Sequence, residues 1–223
     1  VGHIEPEQMM EMIRKNQAAK IFANPVPIKR EKINEPDEIA SAKTVTEMDV
    51  VMPKLTLAIK VNDLPETPYA RIRRELSMNI IMDLLFSKSS SLYHEWLGKG
   101  LINDTFGGFF TQERDYSYIQ IGGDTAKPDV LEQALKELVK QLPDYPFEEA
   151  DFERIRKKTM GNFIMMFNSP ENIANLFIRY HFEGFSAFEL IDVLNDLTFQ
   201  DLNDAKQCFK IDLATIHLVN PRQ

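Results

Sequence analysis

His3, His94, His181 and His217 are the histidines of this chain, and Cys208 is its one cysteine. Zinc needs three or four convergent ligands, so their spacing decides whether a metal site is plausible. Neither H-E-x-x-H nor the inverted H-x-x-E-H occurs. His94-Glu95 is half a motif, because the position four residues after His94 is Gly98. No complete metal site is expected within the chain. Phosphate binding fares no better. Gly107-Gly108 and Gly122-Gly123 are isolated pairs without the G-x-G-x-x-G or Walker pattern. Gly107-Gly108 lies in a strand pattern, where a bulge or a close backbone approach is expected. Gly122-Gly123-Asp124-Thr125 reads as a turn at a strand end. For nucleophilic chemistry, Ser87 to Ser91 places Lys88 among hydroxyls. A Ser–Lys dyad needs a desolvated Lys, and this polar connection between helices suits capping instead. Cys208 has no evident His partner and reads as a small buried thiol. Met160, Met165 and Met166 lie at helical spacing, as core or interface residues would. No catalytic set emerges.

These residues must be positioned by 223 residues, enough for one large domain or two small ones. Apolar residues make up 43% and charged residues 27%, the balance of a globular chain. The formal charge of -8 argues against a phosphate track and hence against a nucleic-acid partner. No apolar run approaches the roughly 18–20 residues that span a bilayer. A single cysteine excludes an internal disulfide and a disulfide-stapled secreted scaffold. The chain opens on Val1, and the expectation is of no leader and a cytoplasmic location. Val1 to Pro6 reads as a strand end running into a helix, the mark of a piece of a longer polypeptide.

Pro6 to Phe22 is predicted helical, with Met9, Met10, Ile13 and Ala18 near one stripe. Residues 23–42 read as an extended linker interrupted by Pro25, Pro27 and Pro36, with the charged run Lys29 to Lys32 as a solvated segment. Thr44 to Thr46 and Leu55 to Val61 read as strands. Pro68 to Phe86 is a helix with Ile72, Leu76, Ile80 and Leu84 on one stripe, and Leu92 to Leu97 is a shorter one. Leu101 to Phe110 and Tyr116 to Ile121 read as two strands of a hairpin. Phe109, Tyr116 and Tyr118 are expected in a sheet with one helix-covered face, although a one-residue slip would reverse every facing. Helices follow over Asp129–Gln141, Phe147–Phe167, from Ser169 onward, Ser186–Leu194 and Thr198–Phe209, the last capped by Thr198 with Asp201 three residues on. Asp212 to Val219 closes the chain as a strand. The order is α+β with sequential strand pairs.

The run Ser89-Ser90-Ser91-Leu92-Tyr93-His94-Glu95-Trp96-Leu97-Gly98-Lys99-Gly100-Leu101-Ile102 resembles a signature of the insulinase/pitrilysin (M16) zinc metallopeptidases and processing peptidases: a small-residue loop, L-[YF]-x-x-L, then G-L. Val1-Gly2-His3-Ile4, Pro53-Lys54, Asn168-Ser169-Pro170-Glu171 and Leu197 to Leu202 fit the same family in the same order. The resemblance covers nearly the whole chain and is strongest to the bacterial YmfH-like branch, whose members look like one half of a two-protein pair.

The resemblance implies a LuxS/MPP-like metallohydrolase fold, α+β, with a mostly antiparallel sheet covered by helices. Residues 1–22 would be the last strand and helix of a first M16 domain, 23–42 the linker, and 43–223 the second, metal-free domain. Zinc would sit in the parent protein on an H-x-x-E-H helix upstream of Val1, and this chain would hold no cofactor and be inactive alone. In the family's second domain an Arg and a Tyr contact the substrate backbone; Leu97 and Asn103 stand at those positions here. Leu97 cannot donate a hydrogen bond to a developing oxyanion, and Asn103 has a shorter arm than Tyr. The implied partners are an extended peptide or protein substrate and an M16-like partner subunit or a second copy of the chain. The implied function is the non-catalytic half of a zinc-dependent peptidase that helps form a peptide-holding chamber. The alternative is a peptidase-derived interaction or scaffold module without a proteolytic role. The apolar stripe of Met9, Met10, Met12 and Ile13 is expected to dock on a neighbouring copy or to pack back on the chain's own domain.

Overall fold

The computed structural model describes residues 2–24, 26–27, 29 and 35–222. Val1, Pro25 and most of the Lys29–Lys32 run lie outside the described residues. The elements follow in the order α1 (Pro6–Ala18), β1 (Lys43–Met48), β2 (Lys54–Val61), α2 (Pro68–Phe86), α3 (Ser91–Gly98), β3 (Gly107–Gln112), β4 (Ser117–Asp124), α4 (Pro128–Gln141), α5 (Glu149–Met166), α6 (Pro170–Glu183), α7 (Glu189–Asp196), α8 (Phe199–Lys206) and β5 (Ala214–Pro221).

The strands form one five-stranded sheet in the order β1-β5-β2-β4-β3. The β3–β4 hairpin is sequential and antiparallel, as expected. β1 and β2 do not pair: β5 returns from the end of the chain and inserts between them, parallel to β1 and antiparallel to β2. This corrects the expectation of sequential pairs throughout. β2 is a central strand with every second residue (Leu55, Leu57, Ile59, Val61) buried, and only a partner on each side satisfies its backbone.

Alternation along the strands separates two faces. Leu55, Leu57, Ile59, Phe110, Ile119, Ile121, Ile216 and Leu218 are buried beneath the helices. Ser117 shares that face, and its hydroxyl donates to the Val61 carbonyl at 3.0 Å, which meets the requirement that a buried hydroxyl be paired. α2 runs over this face. Thr67 caps its N-terminus and Pro68 takes the first position, where a missing N–H costs nothing. Its predicted stripe is buried at Ile72, Leu76 and Ile80, but Met78, Ile81, Met82 and Leu85 are buried as well, because β3 packs on one side and α5, α7 and α8 on another. Arg73 of α2 holds Asp201 of α8 with two hydrogen bonds, Nε–Oδ1 at 2.6 Å and Nη2–Oδ2 at 2.7 Å, and also donates to the Asp196 carbonyl at 2.8 Å. Asp201 completes the expected cap as a capping box with Thr198. Burial alone would raise the Asp201 carboxyl, but the Arg73 and Thr198 hydrogen bonds outweigh it and hold the group below its usual value. On α6, Arg179 reaches Glu75 of α2 at 2.7 Å, and Gly184 ends the helix in the left-handed conformation at φ 76°.

Two further expectations shift. The strand predicted from Leu101 begins only at Gly107. Leu101, Ile102 and Phe106 are buried in the preceding loop, where apolar residues mimic a strand pattern. Gly122-Gly123-Asp124 is not a turn but the end of β4. A β-carbon on Gly122 would stand 2.2 Å from the Leu55 carbonyl oxygen, and one on Gly123 would stand 2.7 Å from the Phe106 α-carbon. These glycines are needed for close approach rather than for turning.

Residues 35–42 lie against the sheet. Lys60 Nζ binds Glu35 at 3.3 Å and the Pro36 carbonyl, Asn62 donates to the Asp37 carbonyl at 2.8 Å, and Thr215 donates to the Ser41 carbonyl at 2.6 Å. α1 ends at Ala18, four residues before the predicted end, and none of its residues is buried. Met10, Met12 and Ile13 remain 47%, 64% and 44% exposed, so within this chain the helix does not pack back on its own domain.

Candidate functional site

Among the described residues no helix packs on the second face of the sheet. Its residues are Thr44 and Thr46 of β1, Thr215 and His217 of β5, Thr56, Ala58 and Lys60 of β2, Tyr118 and Gln120 of β4, and Phe109 and Thr111 of β3. The pairings Thr44↔His217, His217↔Thr56, Ala58↔Gln120, Gln120↔Phe109 and Tyr118↔Thr111 place them side by side. An antiparallel sheet commonly leaves one face to solvent, and small polar side chains suit that role. Thr46 Oγ1 and His217 Nε2 lie 3.0 Å apart. Between this face and residues 35–41 runs a cleft of about 930 Å³, lined among others by Ile39, Lys60, Asn62, Tyr116, Tyr118 and Thr215.

β3 ends the sheet. Among the described residues its main chain pairs with β4 alone, so its outer N–H and C=O groups meet no other strand. The hairpin is held from the far end by Arg114, whose Nη2 donates to the Phe182 carbonyl of α6 at 2.7 Å. The Gly108 α-carbon faces α2, where an added β-carbon would lie 2.9 Å from Met82 Sδ and from the Phe86 ring. At Gly108, β3 therefore sits too close to α2 for a side chain. This is the close approach expected at the Gly107-Gly108 pair.

Leu97 and Asn103 flank the loop that leads into β3. Leu97, in the last turn of α3, is 43% exposed and offers no donor or acceptor. Asn103 is half-buried. Its Oδ1 accepts from Thr105 N at 3.0 Å and from Thr105 Oγ1 at 2.7 Å, and its Nδ2 faces Met52 Sδ at 3.6 Å. The Asn103 carbonyl accepts from Tyr93 Oη at 3.4 Å. Asn103 thus shapes the loop through its oxygen, which is the Asx-type use of this side chain. The Ser87–Ser91 segment is a cap, as expected: Ser90 accepts from Tyr93 N and donates to the Leu85 carbonyl at 2.7 Å. Cys208 is a free buried thiol, and burial pushes its pKa up, away from the reactive range. Among the described residues no three His, Cys, Asp or Glu side chains converge as a metal would require.

Of the aromatic residues expected in the sheet, Phe109 lies in β3 and Tyr118 in β4, whereas Tyr116 precedes β4, which starts one residue later than expected; that Phe109 and Tyr118 share a face was not legible. The alternation Tyr116, Tyr118, Gln120 against Ser117, Ile119, Ile121 is the signal that separates the faces.

The described residues form an α+β domain whose mostly antiparallel sheet has one helix-covered face and ends at β3, and among them no metal ligands converge. The profile described as the peptidase M16 inactive domain matches residues 1–159, and the chain belongs to that family. It is 34% identical over 223 residues to the uncharacterized zinc protease YmfH of Bacillus subtilis, all of this chain aligning with 52% of that protein. The solved structure of an M16-like peptidase from Alicyclobacillus acidocaldarius superposes with a TM-score of 0.89 at 26% identity, over 98% of this chain and 52% of that one. A protease from Helicobacter pylori superposes at 0.82 and 20% identity, over 99% and 54%. The chain spans about half the length of these relatives.

Proposed function

We propose that this chain is the non-catalytic half of a zinc-dependent M16 peptidase, and that its bare sheet face and β3 edge form a wall of a chamber that holds an extended peptide. Zinc would be held by residues of the other half of the parent protein and would supply Lewis-acid chemistry there, with none of this chain's residues as ligands. The parent works in the cytoplasm with an M16-like partner subunit or a second copy, which supplies the Arg and Tyr functions that Leu97 and Asn103 cannot. The exposed stripe of α1 is covered in that assembly.

The observation that carries this reading is the free edge of β3. An edge strand offers unpaired N–H and C=O groups at the spacing of an extended backbone, and strand addition is a recurrent mode of peptide capture. Here β3 packs against α2 and its hairpin is tied to α6 through Arg114.

The test is amide hydrogen exchange on the chain with and without an unstructured casein peptide. Residues 107–112 should become protected, and no cleavage product should form with this chain alone. Protection confined to other segments, or none, defeats the edge-docking reading. The scaffold alternative predicts that the parent lacks an upstream H-x-x-E-H, and sequencing the parent gene decides that point.

A further inference from the structure

The edge strand reads Gly107-Gly108-Phe109-Phe110-Thr111-Gln112, with no charge and no proline. Natural sheets protect a free edge with Lys, Pro, bulges or a covering element. β3 pairs in unbroken register with β4, so it has no bulge either. Phe110 is buried under α2, but Phe109, one residue earlier, points to the bare face and is 47% exposed. Gln120 is directly opposite Phe109, and Tyr118 is directly opposite Thr111, which makes Tyr118 the diagonal neighbour of Phe109 on the same face. Tyr116 stacks on Tyr118 with ring planes 11° apart and is 52% exposed. Elsewhere the same face presents Thr44, Thr56, Ala58, Thr215, His217 and Lys60, the last directly opposite Tyr118. The rings are gathered at the β3–β4 end, beside the free edge.

Resting on the edge-docking reading above, we propose that Phe109 and Tyr118 select which peptides dock: extended segments with aromatic or aliphatic side chains at alternate positions. A strand added to β3 places every second side chain on the bare face. One of these lies opposite Phe109. The next lies opposite Thr111, whose small side chain leaves a large ring room to lean toward Tyr118. The intervening side chains turn to the helix side and meet no such constraint. Each aromatic pair adds specificity to the sequence-independent backbone hydrogen bonds.

The experiment compares two short fluorescein-labelled peptides on the full chain by anisotropy. In one, Thr and Phe alternate; in the other, Thr and Ser. The Phe peptide should bind roughly tenfold more tightly. Phe109→Thr and Tyr118→Thr, both on the bare face and outside the core, should each reduce that preference, and together they should bring it within about twofold. Exchange protection of residues 107–112 is recorded in parallel. If both peptides protect 107–112 with equal affinity, or if the double variant keeps the full preference, the selection by Phe109 and Tyr118 is wrong while edge docking stands. If neither peptide protects 107–112, edge docking fails and the selection fails with it. If the segment becomes protected without peptide as protein concentration rises, the occupant is a second copy, which also overturns the proposal.

Discussion

Replacing Gly122 by Ala should destabilise the chain by about 3 kcal/mol or more, the upper range for overpacking a well-filled site. The new β-carbon would fall 2.2 Å from the Leu55 carbonyl oxygen and 2.8 Å from the Thr56 α-carbon. Both are backbone atoms of β2, which is hydrogen-bonded to β4 on one side and β5 on the other. A side chain could rotate away from such a contact, whereas a central strand can move only by breaking its ladder. Urea unfolding followed by circular dichroism measures the effect as a lower midpoint at unchanged slope. Gly107, directly opposite Gly122 in the β3–β4 register, is the control, since nothing lies within 4 Å of a β-carbon built there. Gly107→Ala should leave stability within about 1 kcal/mol of the original or raise it slightly. Equal losses at the two positions would show that strand glycine content, not the β2–β4 approach, sets the cost.

Asp201→Ala should cost about 3 kcal/mol, because it removes two interactions at once. A partly buried Arg73 guanidinium loses its bidentate partner, and α8 loses its capping box. Arg73→Lys should recover part of the pair's contribution but not all, since an ammonium cannot match the two parallel bonds of the fork. The pair also sets a pH dependence. The folded-state pKa of Asp201 is depressed below its ordinary 3.8. Its contribution is therefore fully present above that value and is lost as pH falls through the lower, folded-state value. Acid unfolding of the original chain should thus be steeper below the ordinary carboxylate range than that of Asp201→Ala. Parallel acid titrations of the two proteins, or a loss under about 1 kcal/mol at neutral pH, would remove this pair from the account of how α8 is held.

Local signals account for much of what could be read without coordinates. α2 spans the predicted Pro68–Phe86, because a capping Thr67, a proline at the first helical position and a continuous apolar period all act within one segment. The Thr198–Asp201 cap was equally legible, as both partners lie in one turn. The same Asp201 as the anchor for Arg73 was not legible, since the two are separated by seven elements of the chain. The Leu101–Phe106 loop was misread because buried apolar residues look alike in a strand and in a loop packed on the core. The Gly122-Gly123 pair was misread because turn chemistry and close backbone approach call for the same residue type.

The sequence by itself determined most helices and their order and, through the run from Ser89 to Ile102, the family resemblance; it overcalled strands at Leu101–Phe106, which is a loop, and at the chain's start, where described residues 2–5 form no strand and the first element is α1. The resemblance also points to Leu97 and Asn103 as the residues that would stand at the family's Arg and Tyr positions. Only the tertiary structure decided which strands are neighbours, which strand has a free edge, and which face Phe109, Tyr116 and Tyr118 occupy. Strand pairing is a long-range choice: β5 enters between β1 and β2 after seven intervening helices, and its ladder depends on partners that no local pattern names. Facing depends on register, where a shift of one residue exchanges Phe109 with Phe110 and would turn an exposed aromatic row into core.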